Sequence, residues 1–183
     1  MISYLITDPS YYSQTPDTFI FRLREVLRHH RVDWVLYRDK ESSCYESIAP
    51  LFVALCHELG VKPILHNDAS LASQLGAFGV HYSSDKLCTI GQKDEGLFRI
   101  GSAHSLEQIR GFAALGIDAV TYSPIFDTPN KGAPVGLESL KTILATITLP
   151  VIALGGIVTP HHVAQIEDCG AYGFASIRYF FKD

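Results

Sequence analysis

The feature that most constrains this chain is a repeat in which a short apolar run is followed by a longer stretch with helical patterning. Eight such runs follow one another: ISYLIT, DWVLYR, KPILH, GVHY, FRIGS, AVTYSPI, PVIALG and GFASI. Strands that are apolar on both faces and alternate with helices are typical of a parallel sheet covered by helices. The repeat therefore predicts an α/β fold with eight parallel strands.

The stretches between these runs contain six helix candidates, near 17–30, 45–59, 69–75, 105–115, 137–147 and 160–168. Several of them end in a similar way, with Gly76, Gly116 or Gly170 just before the next strand, and glycine suits the left-handed conformation that closes a helix. The segment from Ser83 to Leu97 is weakly patterned, and little chain follows Ile177. We therefore expect the fourth and last helical segments to be shortened.

Two architectures fit this repeat, a compact (β/α)₈ TIM barrel and a doubly wound open sheet. A barrel typically has about 250 residues, so one of 183 residues requires short loops. The even spacing of the runs to the end of the chain, without a glycine-rich dinucleotide motif after the first strand, favours the closed barrel. No linker or low-complexity segment divides the chain, so we expect one domain over residues 1–183.

Composition excludes several classes of function. With 15 Lys and Arg against 19 Asp and Glu, the net charge is −4, which argues against a nucleic-acid partner. The longest uncharged stretch, 144–166, is interrupted by prolines and glycines and does not predict a membrane span. The four cysteines form no CxxC pair, the histidines show no zinc spacing and the first residues do not resemble a signal peptide, so we expect a cytoplasmic protein.

Polar residues collect where the apolar runs end, and in a parallel barrel these ends meet on one face. They include four cationic residues, Arg38, Lys40, Lys131 and Arg178. Such a group suits a phosphate or pyrophosphate, because arginine offers a planar fork and lysine a mobile point charge. The nearby carboxylates Asp68 and Asp85 could bind that anion through Mg²⁺, which takes one or two carboxylates together with phosphate oxygens.

Two further patterns lie at strand ends. Gly155 and Gly156 precede Thr159-Pro160, a helix start that could hold a phosphomonoester through backbone N–H groups. His81 and His104 could donate to a substrate or serve a purely structural purpose.

In order along the chain, these strand-end motifs read YLITD, YRDK, HND, GVHYSS, GSAHS, SPIFDTPNK followed by PVGLESL, LGGI and GAYGFASI. The sequence thereby resembles the family of thiamine phosphate synthase and its relative, the thiazole tautomerase, nearly from end to end. The resemblance implies a (β/α)₈ barrel. It also implies a transferase that joins hydroxymethylpyrimidine pyrophosphate to thiazole phosphate and releases pyrophosphate, with Mg²⁺ as cofactor and small phosphorylated heterocycles as substrates.

The resemblance also implies roles for individual residues. It assigns the pyrophosphate to Arg38, Lys40 and Lys131, the pyrimidine to Asn67 and Ser102, and Mg²⁺ to Asp68. It assigns the thiazole side to Thr128 and Asn130, and the thiazole phosphate to backbone groups at Gly156, Ile177 and Arg178. We add Gly155 to the phosphate site, His104 to the substrate-binding residues and Asp85 to the metal ligands, because of their strand-end positions.

The sequence departs from the family pattern at several of these positions. Leu36 stands where the synthase usually has glutamine, and Arg178 where it commonly has serine. Lys86 aligns with the second magnesium carboxylate, one residue after Asp85. Pro124 stands where the tautomerase has its catalytic histidine, and proline cannot act as an acid or base.

Three hypotheses follow. The leading one is a thiamine phosphate synthase-like transferase. The second is a thiazole tautomerase-like isomerase, which would need another base, such as His81 or His104. The third is a non-catalytic protein that binds thiazole phosphate or thiamine phosphate. The sequence does not specify an oligomeric state.

Overall fold

A computed structural model describes residues 1–13, 15–39, 43–88, 90 and 96–181. Its strands are β1 (Ile2–Ile6), β2 (Trp34–Tyr37), β3 (Lys62–His66), β4 (Gly79–Tyr82), β5 (Phe98–Ala103), β6 (Ala119–Tyr122), β7 (Val151–Leu154) and β8 (Gly173–Ser176). Each strand pairs in parallel with the next, and β1 pairs with β8, so the sheet closes. The predicted (β/α)₈ barrel is therefore confirmed and the open doubly wound sheet is excluded.

The helices among the described residues are α1 (Pro9–Tyr12), α2 (Pro16–His29), α3 (Tyr45–Glu58), α4 (Ala69–Gln74), α5 (Leu106–Ala114), α6 (Gly136–Thr146) and α7 (Pro160–Asp168). Helices α2 to α7 match the six predicted helices to within one residue at each end. The short α1 is the one that periodicity did not predict. It begins because the Asp8 side chain accepts a hydrogen bond from the Ser10 N–H and Pro9 occupies the first helical position.

Among the described residues, β4 is followed by a 3₁₀ turn at Ser84–Lys86, and β8 by a 3₁₀ turn at Arg178–Phe181. The shortening expected of the fourth helical segment concerns residues 83–97, which the structure describes only in part, and that expected of the last concerns residues after Ile177, which it describes as far as Phe181.

Because side chains alternate across a strand, the barrel has two separate cores. The outer core lies between strands and helices. The inner core fills the barrel with Tyr4, Ile6, Trp34, Leu36, Ile64, Ile100, Ala119, Ile152 and Ala175. Trp34 packs edge-on against Tyr4 and Phe98, with ring centroids 5.8 and 5.1 Å apart. These large rings close the interior at the amino ends of the strands.

Toward the carboxyl ends of the strands the interior becomes polar, with His81, Ser102 and Thr121 in place of aliphatic side chains. The apolar side chains therefore fill the barrel toward the amino ends of its strands, and polar side chains lie toward the carboxyl ends. Among the described residues, no helix is both long enough and apolar enough to cross a membrane.

Candidate active site

A cavity of about 560 Å³ opens at the carboxyl ends of the strands, and residues in or after each of the eight strands line it. Eleven of the predicted site residues belong to its lining: Arg38, Asp85, Ser102, His104, Thr128, Asn130, Lys131, Gly155, Gly156, Ile177 and Arg178. The structure thus brings together cationic, hydroxyl and glycine groups that lie far apart in the sequence. Lys40 lies outside the described residues.

Arg38 is held at the end of β2 by two contacts with the loop after β1. Its backbone N–H donates to the Thr7 hydroxyl at 2.9 Å, and its guanidinium Nη1 lies 3.8 Å from Asp8 Oδ2. Its side chain stays about one-third exposed at the cavity. Asp8 therefore orients the guanidinium. Asp8 is the last residue of the motif YLITD, and nothing local in the sequence indicates this ion pair.

The loop after β6 forms a compact turn at the rim of the cavity. The Thr128 hydroxyl donates to the Phe126 carbonyl at 2.9 Å, and the Lys131 N–H donates to the Thr128 carbonyl at 3.2 Å. Asn130 has a φ of +60°, in the left-handed region that asparagine tolerates better than most residues. This turn places Lys131 at the cavity beside the two polar side chains.

The loop after β7 requires glycine for two reasons. Gly155 and Gly156 have φ values of +99° and +67°. A Cβ on Gly156 would also lie 2.5 Å from the Asp127 carbonyl oxygen and 2.7 Å from the carbonyl carbon of Phe126. The Phe126 N–H donates to the Gly155 carbonyl at 3.0 Å. The loops after β6 and β7 are therefore packed backbone to backbone.

The end of β8 is fastened to the same glycine loop. The Ser176 hydroxyl donates to the Ile157 carbonyl at 2.7 Å and accepts from the Tyr179 N–H at 3.1 Å. This fixes Ile177 and Arg178 beside the glycine loop on the cavity wall. Such close approach of main-chain segments gives a ligand access to backbone donors.

Asn67 and Asp68 follow β3 and bind protein groups. Asn67 Oδ1 accepts from the Ser83 N–H at 2.9 Å, and Asn67 Nδ2 donates to Ser83 Oγ at 3.0 Å. Asp68 Oδ1 caps α4 by accepting from the Leu71 N–H at 2.8 Å. Neither belongs to the described cavity lining. Their assigned roles toward the pyrimidine and the metal therefore stay predictions.

The donor set for Mg²⁺ is small. Among the described residues, no group of three or more His, Cys, Asp or Glu side chains is placed to hold a metal ion. Asp85 does line the cavity. One or two carboxylates suffice for Mg²⁺ when substrate phosphates supply further oxygens, so these residues fit a site completed by substrate and not one formed by protein alone.

His81 is buried and has hydrogen-bond partners at both ring nitrogens. Nδ1 lies 3.0 Å from the Tyr4 hydroxyl, and Nε2 lies 2.9 Å from Ser102 Oγ. Burial, followed by the charges of His66 and Arg38, lowers the pKa of His81 to about 3. His81 is therefore a neutral imidazole and does not suit the work of a general base.

His104 is arranged differently. Its Nδ1 lies 2.9 Å from the Ser123 carbonyl oxygen, which can only accept, so Nδ1 carries the proton. Its backbone N–H donates to Gln108 Oε1 at 2.7 Å. With Nδ1 bound to this carbonyl, Nε2 is the ring nitrogen left for a ligand, and His104 lines the cavity. Of the two histidines, His104 is therefore the one whose Nε2 is not engaged by Ser102.

The structure also shows where the residues that depart from the family pattern lie. Leu36 is buried in the inner core and forms part of an apolar cavity floor with Ile6 and Leu154. Pro124 lines the cavity and follows a cis peptide bond from Ser123. Lys86 lies in the 3₁₀ turn after β4.

Comparison with known proteins agrees with this geometry. A family model described as thiamine monophosphate synthase matches residues 3–180. A thiamine-phosphate synthase of Saccharophagus degradans is 31% identical, over 98% of this chain and 85% of that protein. One from Pelotomaculum thermopropionicum is 34% identical, over 75% of this chain and 66% of that protein. The solved thiamine phosphate pyrophosphorylase of Pyrococcus furiosus superposes with a TM-score of 0.78 at 22% identity, covering 96% of this chain and 85% of that one.

The fold and the site define a (β/α)₈ barrel with a cationic cavity at the carboxyl ends of its strands. The chain belongs to the thiamine monophosphate synthase family. The predicted class, a transferase of thiamine biosynthesis, is thereby confirmed.

Proposed function

We propose that the protein joins hydroxymethylpyrimidine pyrophosphate to thiazole phosphate, forms thiamine phosphate and releases pyrophosphate. The observation that carries this proposal is the cavity, which has cationic side chains together with a glycine loop. Its volume of about 560 Å³ lies within the range of about 300–1,000 Å³ for small-molecule sites. The predicted cytoplasmic location and the small phosphorylated substrates are parts of the same proposal.

The pyrophosphate is assigned to the cationic side of the cavity. Arg38 would bind its oxygens through the planar guanidinium, and Lys131 would supply a mobile charge. The proposal adds Lys40, which the sequence places two residues after Arg38. These cations stabilise the negative charge that develops on the leaving oxygen, so they act more strongly on the transition state than on the bound substrate.

The reaction itself exchanges one bond for another. The bond between the pyrimidine methylene carbon and the pyrophosphate oxygen breaks, and its electron pair leaves with pyrophosphate. The lone pair of the thiazole nitrogen forms the new carbon–nitrogen bond, and the thiazole becomes a cation. No proton has to move in this exchange. A site whose buried histidine stays neutral is therefore compatible with it.

The thiazole phosphate is assigned to the wall formed by the loops after β7 and β8, which lie between the loops that contain Lys131 and Arg38. Backbone groups at Gly155, Gly156 and Ile177 would bind its oxygens, and Arg178 would add a charged donor. Thr128 and Asn130 are assigned to the thiazole ring. Their contacts would hold the ring nitrogen toward the methylene carbon of the pyrimidine.

The proposal includes a Mg²⁺ ion whose ligands come in part from the substrate. Asp85 at the cavity and Asp68, whose Oδ1 caps α4, would hold it together with pyrophosphate oxygens. When bound, the ion supplies positive charge to the leaving group. The remaining work of orientation is done by Arg38 and Lys131.

The test is turnover with both substrates. Purified protein, hydroxymethylpyrimidine pyrophosphate, thiazole phosphate and Mg²⁺ should give thiamine phosphate and pyrophosphate in equal amounts, with neither formed when one substrate is omitted. Lys131→Ala is the matched active-site variant and should be slower. A folded protein that gives no product under these conditions contradicts the proposal.

One observation favours isomerisation of a thiazole carboxylate phosphate as a second candidate activity. His104 presents the unprotonated Nε2 of a fixed tautomer in the cavity, as a base for proton removal requires. We expect tautomer interconversion by the wild type and a loss of at least about tenfold in His104→Gln, which removes the base. Equal rates in the two proteins would exclude His104 from that role.

A further inference from the structure

Beneath the cavity, inside the barrel, lies a chain of polar side chains that the proposed transfer does not use. Tyr4 projects from β1, His81 from β4, and Ser102 and Thr121 from β5 and β6. Tyr4, His81 and Thr121 are buried, while Ser102 is half-buried and also lines the cavity. This series of hydrogen-bonded side chains therefore extends from the filled interior of the barrel to the cavity.

Its hydrogen bonds decide the tautomer of His81. Among the described residues, the partner of the Tyr4 hydroxyl is His81 Nδ1, at 3.0 Å. If Nδ1 carried the proton, the hydroxyl of Tyr4 would accept and its own proton would be buried without an acceptor, which is costly. With Nδ1 unprotonated, Tyr4 donates to it and both groups are satisfied. The geometry thus assigns the imidazole proton to Nε2.

This tautomer in turn determines the direction of the Ser102 hydroxyl. The Nε2–H of His81 donates to Ser102 Oγ at 2.9 Å, with Thr121 Oγ1 farther away at 3.5 Å. Because Ser102 accepts this hydrogen bond, its own proton must point elsewhere. Ser102 lines the cavity, so its proton is available for donation to a ligand bound there.

We propose that Tyr4 and His81 are positioning residues that hold Ser102 as a hydrogen-bond donor to a ring nitrogen of the pyrimidine substrate. The ligand in this statement rests on the proposed function. Ring nitrogens of a pyrimidine accept hydrogen bonds, so a fixed donor matches them and a hydroxyl turned the other way would not. Tyr4 acts without contacting substrate, since it lies below the residues that line the cavity.

The hydrogen-bonded series Tyr4–His81–Ser102 stays neutral because burial, together with the charges of His66 and Arg38, lowers the pKa of His81 to about 3. The side chains within hydrogen-bond distance of the His81 ring are Tyr4, Ser102 and Thr121, which are neutral, while the titratable and charged groups near it are His66, its register partner on β3, and Arg38 at the end of β2. The donor character of Ser102 is therefore the same at pH 6 and pH 8. A positive charge here would oppose the cationic character of the pyrimidine methylene during transfer.

The first test is Tyr4→Phe, which removes one hydroxyl and keeps the ring that packs on Trp34. The imidazole can then take the other tautomer, in which Nε2 accepts the Ser102 proton and the donor is lost. We expect KM for the pyrimidine substrate to rise about five- to tenfold, with KM for thiazole phosphate unchanged and kcat nearly so. The matched control is Tyr12→Phe, because Tyr12 is also buried and its hydroxyl lacks a partner among the described residues. It should leave both KM values unchanged.

A double-mutant cycle separates positioning from a merely structural effect. If Tyr4 acts through Ser102, Tyr4→Phe should have no further effect on the pyrimidine KM in a Ser102→Ala background. His81→Gln retains an acceptor and a donor and should preserve more of the affinity than His81→Leu. Additive effects of Tyr4→Phe and Ser102→Ala, or an unchanged KM in folded Tyr4→Phe, would overturn the proposal.

The second readout needs no turnover. In ¹⁵N NMR of the ligand-free wild type, His81 Nδ1 should have the shift of an unprotonated nitrogen and Nε2 that of a protonated one. Tyr4→Phe should redistribute the two forms, and Tyr12→Phe should not. The opposite tautomer in the wild type would refute the assignment. Since this experiment does not depend on substrate, a failure of the proposed reaction leaves its result interpretable.

Discussion

Replacing Gly156 by alanine tests how the glycine loop forms the phosphate site. Alanine at a φ of +67° costs about 1–2 kcal/mol in the folded state. Its Cβ would lie 2.5 Å from the Asp127 carbonyl oxygen and 2.7 Å from Phe126, and such overpacking costs about 1–3 kcal/mol. The lower entropy of the unfolded alanine variant returns about 0.4–1 kcal/mol. We therefore expect a net loss of about 1–5 kcal/mol in the free energy of unfolding.

Gly76→Ala is the matched control. Gly76 has the same φ of +67°, but among the described residues no atom would lie within 4 Å of its Cβ. It ends α4, remote from the described cavity lining. Only the backbone cost and the unfolded-state entropy apply, so we expect a loss of about 1.5 kcal/mol or less. The difference between the two variants isolates the contact between the loops after β6 and β7.

Urea unfolding followed by circular dichroism gives both free energies, and steady-state kinetics gives KM for each substrate. For Gly156→Ala we expect KM for thiazole phosphate to rise at least about tenfold and by more than KM for the pyrimidine substrate, because Gly156 itself belongs to the backbone assigned to that phosphate, while Lys131 lies farther along the loop that the Cβ would contact. Equal losses of stability in the two variants would refute the packing argument. A destabilised Gly156→Ala with an unchanged KM for thiazole phosphate would refute the assignment of that phosphate to the loop.

Three further substitutions and one titration test other parts of the structure. Lys131→Ala should lower kcat/KM about 10²-fold through loss of charge at the leaving group, measured by pyrophosphate release at constant ionic strength; a change below twofold would contradict its role. Asp85→Asn should raise the Mg²⁺ concentration needed for half-maximal rate, and an unchanged Mg²⁺ titration would remove Asp85 from the ligands. Trp34→Ala should destabilise the barrel by about 3–5 kcal/mol in urea unfolding, since the ring is 98% buried in the inner core; a loss under 1 kcal/mol would show that the core is not filled as described. Because folding lowers the pKa of His81 from 6.5 to about 3, the unfolded chain binds an extra proton between these values. Stability should therefore fall on acidification below pH 6.5, by up to about 1.4 kcal/mol per pH unit, and the slope should be smaller in His81→Gln.

The fold could be predicted because its determinants are local and repeated. Buried parallel strands leave apolar runs, and helix ends carry signals such as the Thr159 cap and the left-handed Gly76, Gly116 and Gly170. The helix α1 was missed because four residues show no period and the determinant is a side-chain cap at Asp8.

The sequence predicts eleven of the residues that line the cavity, but not the contacts among them. Cationic and glycine residues stand at strand ends, where the topology of a parallel barrel collects them. The bond from Tyr4 to His81 joins residues 77 positions apart, and that from His81 to Ser102 joins residues 21 apart. Both depend on how β1, β4 and β5 are placed around the barrel, which no local pattern encodes.

The 3₁₀ turn after β4 contains the position at which the sequence departs from the metal-ligand pattern of the family. Strand β4 itself is held by pairing with β3 and β5 and by the hydrogen bond of His81 to Tyr4 inside the barrel. The residues that can change position are those beyond the strand, in the 3₁₀ turn that contains Asp85 and Lys86. A carboxylate one residue earlier in such a turn can reach the cavity, as Asp85 does. Metal binding should therefore respond to changes in this turn, while substrate positioning by the β4 interior should not.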